Sequence, residues 1–222
     1  MKHQAGVTLI SLLIGLVIAM LCMIAVLTTY RTVAKTGAES RVASSHDTQL
    51  QMGLTNAQML LQSASFGLEG NTHFNANATI RVQSDGKTQS IKAIVWRYQD
   101  DNEVVCQGLA DLEHPNHKQR QFALLKGTTD GSHCDATQNL SNLTWTVQSS
   151  LANLQDYSLD QSNPVQITWL QSSAPCTPYG SGKIDESTAH AVITLSAKTS
   201  TQHSANLSPV NVAVCLLNIS TS

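Results

Sequence analysis

The chain has 222 residues, with 13 basic and 15 acidic side chains and a formal net charge of −2, and charged residues make up only 13% of it. So thin a supply of Lys and Arg, with no basic run, gives no footing for a nucleic-acid surface, and no nucleic-acid partner is expected. With an apolar N-terminal run and the polar stretch behind it set aside, about 150 residues remain, enough for one domain with its own core.

The apolar run spans Val7 to Leu27, and only Thr8, Ser11 and Gly15 dilute it. As a helix it would be roughly 30 Å long, the thickness of a bilayer core. A cleaved secretory signal is shorter and ends at a small-residue site. Here the run ends in Thr28, Thr29, Tyr30 and Arg31, residues of interfacial character. The segment therefore reads as a retained anchor. Lys2 orients its start toward the cytoplasm, although Arg31 and Lys35 blunt the asymmetry.

Helical spacing continues beyond the anchor. Leu50, Leu54, Ala57, Leu61, Ala64 and Leu68 recur at alternating steps of four and three, which marks one face of a helix. No proline occurs before Pro115, so the pattern predicts one helix from Val7 to about Ser65. Residues 28–68 are expected to form a helical stalk running into the domain. Gly37 and Gly53 are its weak points at about 1 kcal/mol each, and Gly67 and Gly70 mark its end.

Strand patterns follow within a β-rich domain over 69–222. They cover 78–84, 90–98, 103–109, 121–127, 143–151, 165–171, 190–198 and 210–219, with turn-rich segments between. The second and third are set for a hairpin across "QDDNE". One long helix followed by many antiparallel strands predicts an α+β fold with the helix packed on a sheet.

Of five cysteines, Cys22 lies in the apolar run and reads as a small buried hydrophobe. Cys106, Cys134, Cys176 and Cys215 read as two disulfides of an exported domain, with three possible pairings. Sequential pairing, 106–134 and 176–215, is preferred because it staples two consecutive sub-regions.

No catalytic pattern emerges, and neither a cofactor nor a metal is expected. "GSGK" (180–183) has Thr at 177 and Ile184 after the lysine, so it fails as a phosphate loop and reads as a turn. His114 and His117, with His133 further on, match no zinc spacing. Asp100, Asp101, Glu103, Asp130 and Asp135 match no calcium loop. Trp96, Trp145 and Trp169 sit in strand patterns and read as core rather than as a sugar platform. The sequons at Asn77, Asn142 and Asn218 read as accidents of composition.

The leader "MKHQAG" followed by Val7-Thr8-Leu9-Ile10 resembles the class III signal of type IV pilins and pseudopilins. The stretch from Arg97-Tyr98 through Cys106-Gln107-Gly108 and Phe122 to Leu125, on to Cys134 and Leu143, resembles minor pilins of the PilW group and the related PulJ pseudopilins. The resemblance covers 1–70 at the level of the class and about 91–150 at that of the subgroup. It implies a leader of residues 1–6 removed after Gly6 by a prepilin peptidase, N-methylation of Val7, and a membrane and filament-core helix over 7–27. It also implies a bridge of the 106–134 kind. Two departures stand out. Val7 replaces the usual Phe or Met, and Ser11 replaces the usual glutamate at the fifth mature position.

The family's fifth-position carboxylate is thought to pair with the amine of a neighbouring subunit, because a bare carboxylate in hydrocarbon is costly. Ser11 cannot do so, whereas a hydroxyl is tolerated by bonding a carbonyl one turn back. A subunit at the filament tip has no amine above it to pair. The resemblance thus implies a minor pilin at or near the tip of a type IV pilus that helps start assembly. Its partners would be other minor pilins, the major pilin, the inner-membrane assembly platform and the prepilin peptidase. The chain would pass once through the bacterial inner membrane with its domain in the periplasm, before export to the cell surface. The alternatives are a type II secretion pseudopilin, a tip adhesin or DNA-uptake pilin, and a plainly anchored periplasmic enzyme.

Overall fold

One helix, α1 (Leu9–Leu61), opens the structure, a computed structural model. It describes residues 9–84, 86–101, 103–114, 119–155, 165–176, 189–200 and 207–220. Two compact units divide the chain, Met1–Val42 and Ala43–Ser222, and α1 contributes to both.

In the second unit α1 lays down the face its spacing predicts, with Leu50, Leu54, Ala57 and Leu61 all buried. The helix ends at Leu61, short of the expected Ser65. Tighter turns take over, with Ser63 N–H bonded to Leu60 O and Ala64 N–H to Leu61 O. Ser65 then turns into a left-handed conformation (φ 60°) and donates its N–H to Arg97 O at 3.0 Å, so a strand carbonyl captures the chain before another helical turn forms. The carbonyls of Gln62 and Ala64 accept bonds from Asn218 Nδ2 at 3.3 and 3.1 Å, which satisfies acceptors that a helix end leaves open.

All eight predicted strands form: β1 (Phe74–Ser84), β2 (Lys87–Asp100), β3 (Glu103–Glu113), β4 (Gln119–Thr128), β5 (Thr144–Gln155), β6 (Thr168–Ala174), β7 (His190–Ala197) and β8 (Val210–Ser220). They build two antiparallel sheets rather than the single sheet expected. The first, β1 to β5, closes on itself where β5 returns parallel to β1, pairing Trp145 with Val82 and Thr146 with Gln83. Register shifts in the β4–β5 pairing, at Phe122/Ala123 and Leu124/Leu125, supply bends of the kind that close a sheet. The second sheet has the order β6-β7-β8. The β2–β3 hairpin forms as read, with Asp101 at φ 51° in its turn. The two strands extend further into the connection after 109 than the pattern predicts, β3 to Glu113 and β4 from Gln119, and residues 115–118 lie outside the described residues.

Closure gives the first sheet two buried faces, so β2 carries an unbroken buried run from Ala93 to Arg97 rather than an alternation. The enclosed face gathers Ile80, Val82, Val95, Leu112, Leu125 and Trp145. Trp145 fits because two strand positions opposite it lack a side chain. A Cβ at Gly127 would stand 2.9 Å from the indole, and one at Gly108 would stand 3.3 Å from it and 3.1 Å from Ile94 O. The Cys106-Gln107-Gly108 motif thus places the disulfide and the indole seat side by side, and Trp145 Nε1 donates to Leu140 O at 3.0 Å. Part of the outer face, with Ile94, Trp96, Leu109 and Phe122, shares a second core with α1 and with Ile193 and Leu195 of the second sheet.

Gly53 lies where α1 comes nearest β5. A Cβ there would meet Ala152 Cβ at 2.8 Å and Leu151 O at 3.3 Å. This glycine, read from sequence as a helical weak point, is a packing requirement. Gln49 Oε1 accepts the N–H of Asn153 at 2.8 Å nearby.

Polar ties join the layers. Asp111 on β3 takes a two-pronged bond from Arg120 Nε, at 3.1 and 3.0 Å, and accepts Ile167 N–H at 2.9 Å just ahead of β6. Glu113 stands 3.7 Å from the same guanidinium. Burial pushes the Asp111 carboxyl up to about 6, against the opposing pull of Arg120 and the Ile167 bond. Asp47 on α1 accepts the N–H and hydroxyl of Ser200, both at 2.7 Å. Burial would raise the Asp47 carboxyl, but the Ser200 bonds and His46 outweigh it and hold it below the usual range.

Two predictions follow from this packing. Gly53→Ala destabilises the full chain in detergent by about 1–3 kcal/mol through overpacking, although alanine is the better helix former by about 1 kcal/mol. Gly37→Ala, with nothing within 4 Å of its Cβ, does not destabilise. Equal effects in thermal melts would refute the close-approach account. The second prediction concerns pH. A carboxyl raised on folding gives stability that is full below its unfolded value of 3.8 and lost as pH rises through about 6. The melting temperature of the native chain minus that of Asp111→Asn therefore falls between pH 4 and pH 7. A flat or rising difference contradicts the burial assignment.

Candidate functional site: an exposed apolar helix and the domain fixed behind it

From Leu9 to Ala38 every side chain of α1 is exposed, the large apolar ones from 48% at Leu16 to 77% at Leu9. Covering a Leu, Ile, Val or Met is worth about 1.5–3 kcal/mol each, so this surface requires lipid or other helices around it. The apolar character runs around the whole helix, as in a membrane span and unlike a surface helix with one apolar stripe. By length and composition α1 is able to cross a bilayer. Its acidic residues begin only at Glu39, which lies 3.8 Å from Lys35 in an exposed pair.

Hydroxyls near the end of the apolar stretch turn back onto the helix. Thr28 and Thr29 both donate to Ala25 O at 2.9 Å, and Thr32 donates to Thr28 O at 3.0 Å. This satisfies the hydroxyl without a partner chain. Ser11 carries the same group, exposed, in the first turn of the described helix. Gly6 and Val7, the expected processing residues, lie outside the described residues, and with them the carbonyl one turn before Ser11.

The four domain cysteines form the bridges Cys106–Cys134 and Cys176–Cys215, with Cα separations of 5.6 and 5.9 Å. By loop-closure entropy each stabilises the fold by about 4 kcal/mol. The first ties β3 to the loop after β4. The second ties the segment just after β6 to β8, the other outer strand of a sheet in which β7 lies between them. Cys22 is exposed on the helix rather than buried.

Arg97, which sequence reading noted only as part of a motif, is buried and donates to the carbonyls of Ala136 and Gln138. It is the cross-strand neighbour of Cys106, so guanidinium and disulfide hold the same loop from adjacent strands. Burial lowers the proton affinity of Arg97, and the charge of Asp135 offsets this in part. Asp111, Arg120 and Asp47 were likewise missed. A lone charge in a strand or stalk carries no local sign that it will be buried. The run Arg97-Tyr98-Gln99-Asp100 reads as the polar end of a strand.

The acidic residues weighed as ligands serve turns instead. Asp130 accepts from the N–H groups of His133 and Ser132, which pull its carboxyl down to about 2. Asp135 accepts from Thr137 N and Oγ1, both at 2.8 Å. His114 and His133 are exposed, and His117 and the "GSGK" segment lie outside the described residues. Among the described residues no group of three or more His, Cys, Asp or Glu is placed to hold a metal. Trp96 and Trp145 are fully buried, and Trp169, half-buried, donates to Ala76 O at 2.7 Å, linking the second sheet to β1. An open hollow of about 380 Å³ beside Cys134, with Glu103, Lys126 and His133 on its walls, gathers no catalytic constellation.

A long apolar N-terminal helix packed on antiparallel sheet is compatible with a pilin-like fold. No protein family, curated protein or solved structure matches the chain.

Proposed function

We propose that this chain is a minor pilin of the PilW kind, a structural subunit that helps start type IV pilus assembly and sits at or near the filament tip. The observation that carries the reading is one helix with two environments. From Leu9 to Ala38 it is exposed, and its apolar part, through Leu27, is greasy on all sides; from Leu50 to Leu61 it is a buried core element of a domain with two disulfides. A signal cleaved away would have no need to continue into the core. A plain anchor would have no need to share one uninterrupted helix with the domain. In this reading the leader is cut after Gly6, Val7 is methylated, the helix waits in the inner membrane, and it then moves from lipid to a bundle of like helices. Both surroundings are apolar, so the transfer leaves the hydrophobic surface covered throughout.

Ser11 supports a terminal position. With a hydroxyl in place of the carboxylate, the helix carries no buried charge that must find an amine during extraction. The test uses a strain lacking this chain, complemented with the native form or with Ser11→Glu. Loss of surface pili with type II secretion intact, and rescue by the native form, is expected. Immunogold label on the native chain should mark filament ends, and Ser11→Glu should shift label along the shaft. Normal piliation without the chain would overturn the reading, and loss of secretion alone would favour the pseudopilin alternative. Unchanged label with Ser11→Glu would remove the argument from Ser11.

A further inference from the structure

The outer face of the closed sheet is divided in two. One part lies under α1 and the second sheet, as described above. The other part faces solvent on β5, β1 and β2, neighbours in the closed order. Its outward positions are Thr79, Arg81 and Gln83 on β1, opposite Lys92, Ser90 and Thr88 on β2. Thr144 and Thr146 continue it on β5, where Thr146 pairs with Gln83. Thr79, Arg81, Gln83, Thr88, Ser90 and Thr144 line an open groove of about 800 Å³, and Lys92, the cross-strand partner of Thr79, stands just outside that lining.

The chemistry of this groove is selective. Hydroxyl and amide side chains dominate its lining, Arg81 is among them, and no carboxylate and no aromatic ring of the described residues lines it. Arg81 and Lys92 are diagonal neighbours across the β1–β2 pair, about 7–8 Å apart at their Cβ atoms by strand geometry. Two like charges at that spacing repel unless an anion lies between them. From Phe74 to Gln99 the sequence holds one acid, Asp85, which lies outside the described residues, and β5 holds no charged residue at all. The whole chain is net negative, so this cationic face is a local arrangement and not a reflection of overall charge.

We propose that this face docks an anionic polysaccharide, a sugar chain bearing carboxylate or sulfate groups. Arg81 and Lys92 meet successive negative groups, and the hydroxyls and amides of Thr79, Gln83, Ser90 and Thr144 bond the sugar oxygens. A neutral glycan offers nothing for the paired cations. Single-stranded nucleic acid offers the charge but calls for aromatic stacking platforms, which the groove lacks.

The test measures binding of an alginate oligomer, a heparin oligosaccharide, neutral dextran and oligothymidylate to the full chain in zwitterionic nanodiscs. The native chain is expected to bind one or both charged sugar chains, more weakly as salt rises, and not dextran. The double variant Arg81→Gln/Lys92→Gln should lose tenfold or more. Arg41→Gln, which removes one positive charge from the helix, should lose nothing. Both side chains are exposed, so the melting temperature should hold, and Lys92→Glu alone gives an independent variant. The proposal is overturned if neither charged sugar binds at millimolar saccharide. It is also overturned if the groove variants bind as the native chain does, or if oligothymidylate binds at least as tightly and with the same dependence on Arg81 and Lys92.

Discussion

The burial of one helical face against two sheets at once is the constraint on which the domain depends. Leu50, Leu54, Ala57 and Leu61 meet the outer face of the closed sheet and one face of the three-stranded sheet in a single core. Neither sheet has that core without the helix. The fit is close enough to demand glycine at position 53, and the polar ties guard its margins: Gln49 to β5, Asp47 to Ser200, and Asn218 to the carbonyls at the helix end. The second core, inside the closed sheet, is independent in composition and is organised around Trp145 seated over Gly108 and Gly127.

Much of this was legible in the sequence because it rests on local periodicity. The helical face from Leu50 to Leu61 and all eight strands appear where alternation and spacing put them, and sequential disulfides appear as preferred. What escaped was non-local. Alternation cannot say that β5 will return to β1, so closure and the division into two sheets were not foreseen. The clue was present in β2, where Ala93 to Val95 are apolar in succession, as a strand buried on both faces requires. Gly53 looked like a cost because its neighbour, Ala152, lies far along the chain. The roles of Arg97 and Asp111 were invisible for the same reason. A buried charge is recognised by its partners, and theirs come from loop carbonyls for Arg97 and, for Asp111, from Arg120 on the next strand and from the backbone ahead of β6. Arg81 and Lys92 form no basic run, and only the β1–β2 register makes them neighbours.

Function in the proposed reading follows from the same helix. Its exposed apolar length is costly in water and stable only in lipid or among other helices. The domain end is held by packing, two disulfides and buried polar bonds. The β2–β3 turn, the loop clamped by Arg97 and Cys134, and the groove lined by Arg81 lie on the closed sheet.

The central claim, that the apolar segment is a processed and retained prepilin helix, is tested most directly by the mass of the N-terminal peptide from cells with and without the prepilin peptidase. The account predicts a chain that begins at Val7, carries one methyl group, and is made only when the peptidase is present. A chain that keeps residues 1–6 in both strains would contradict it and leave an ordinary membrane anchor.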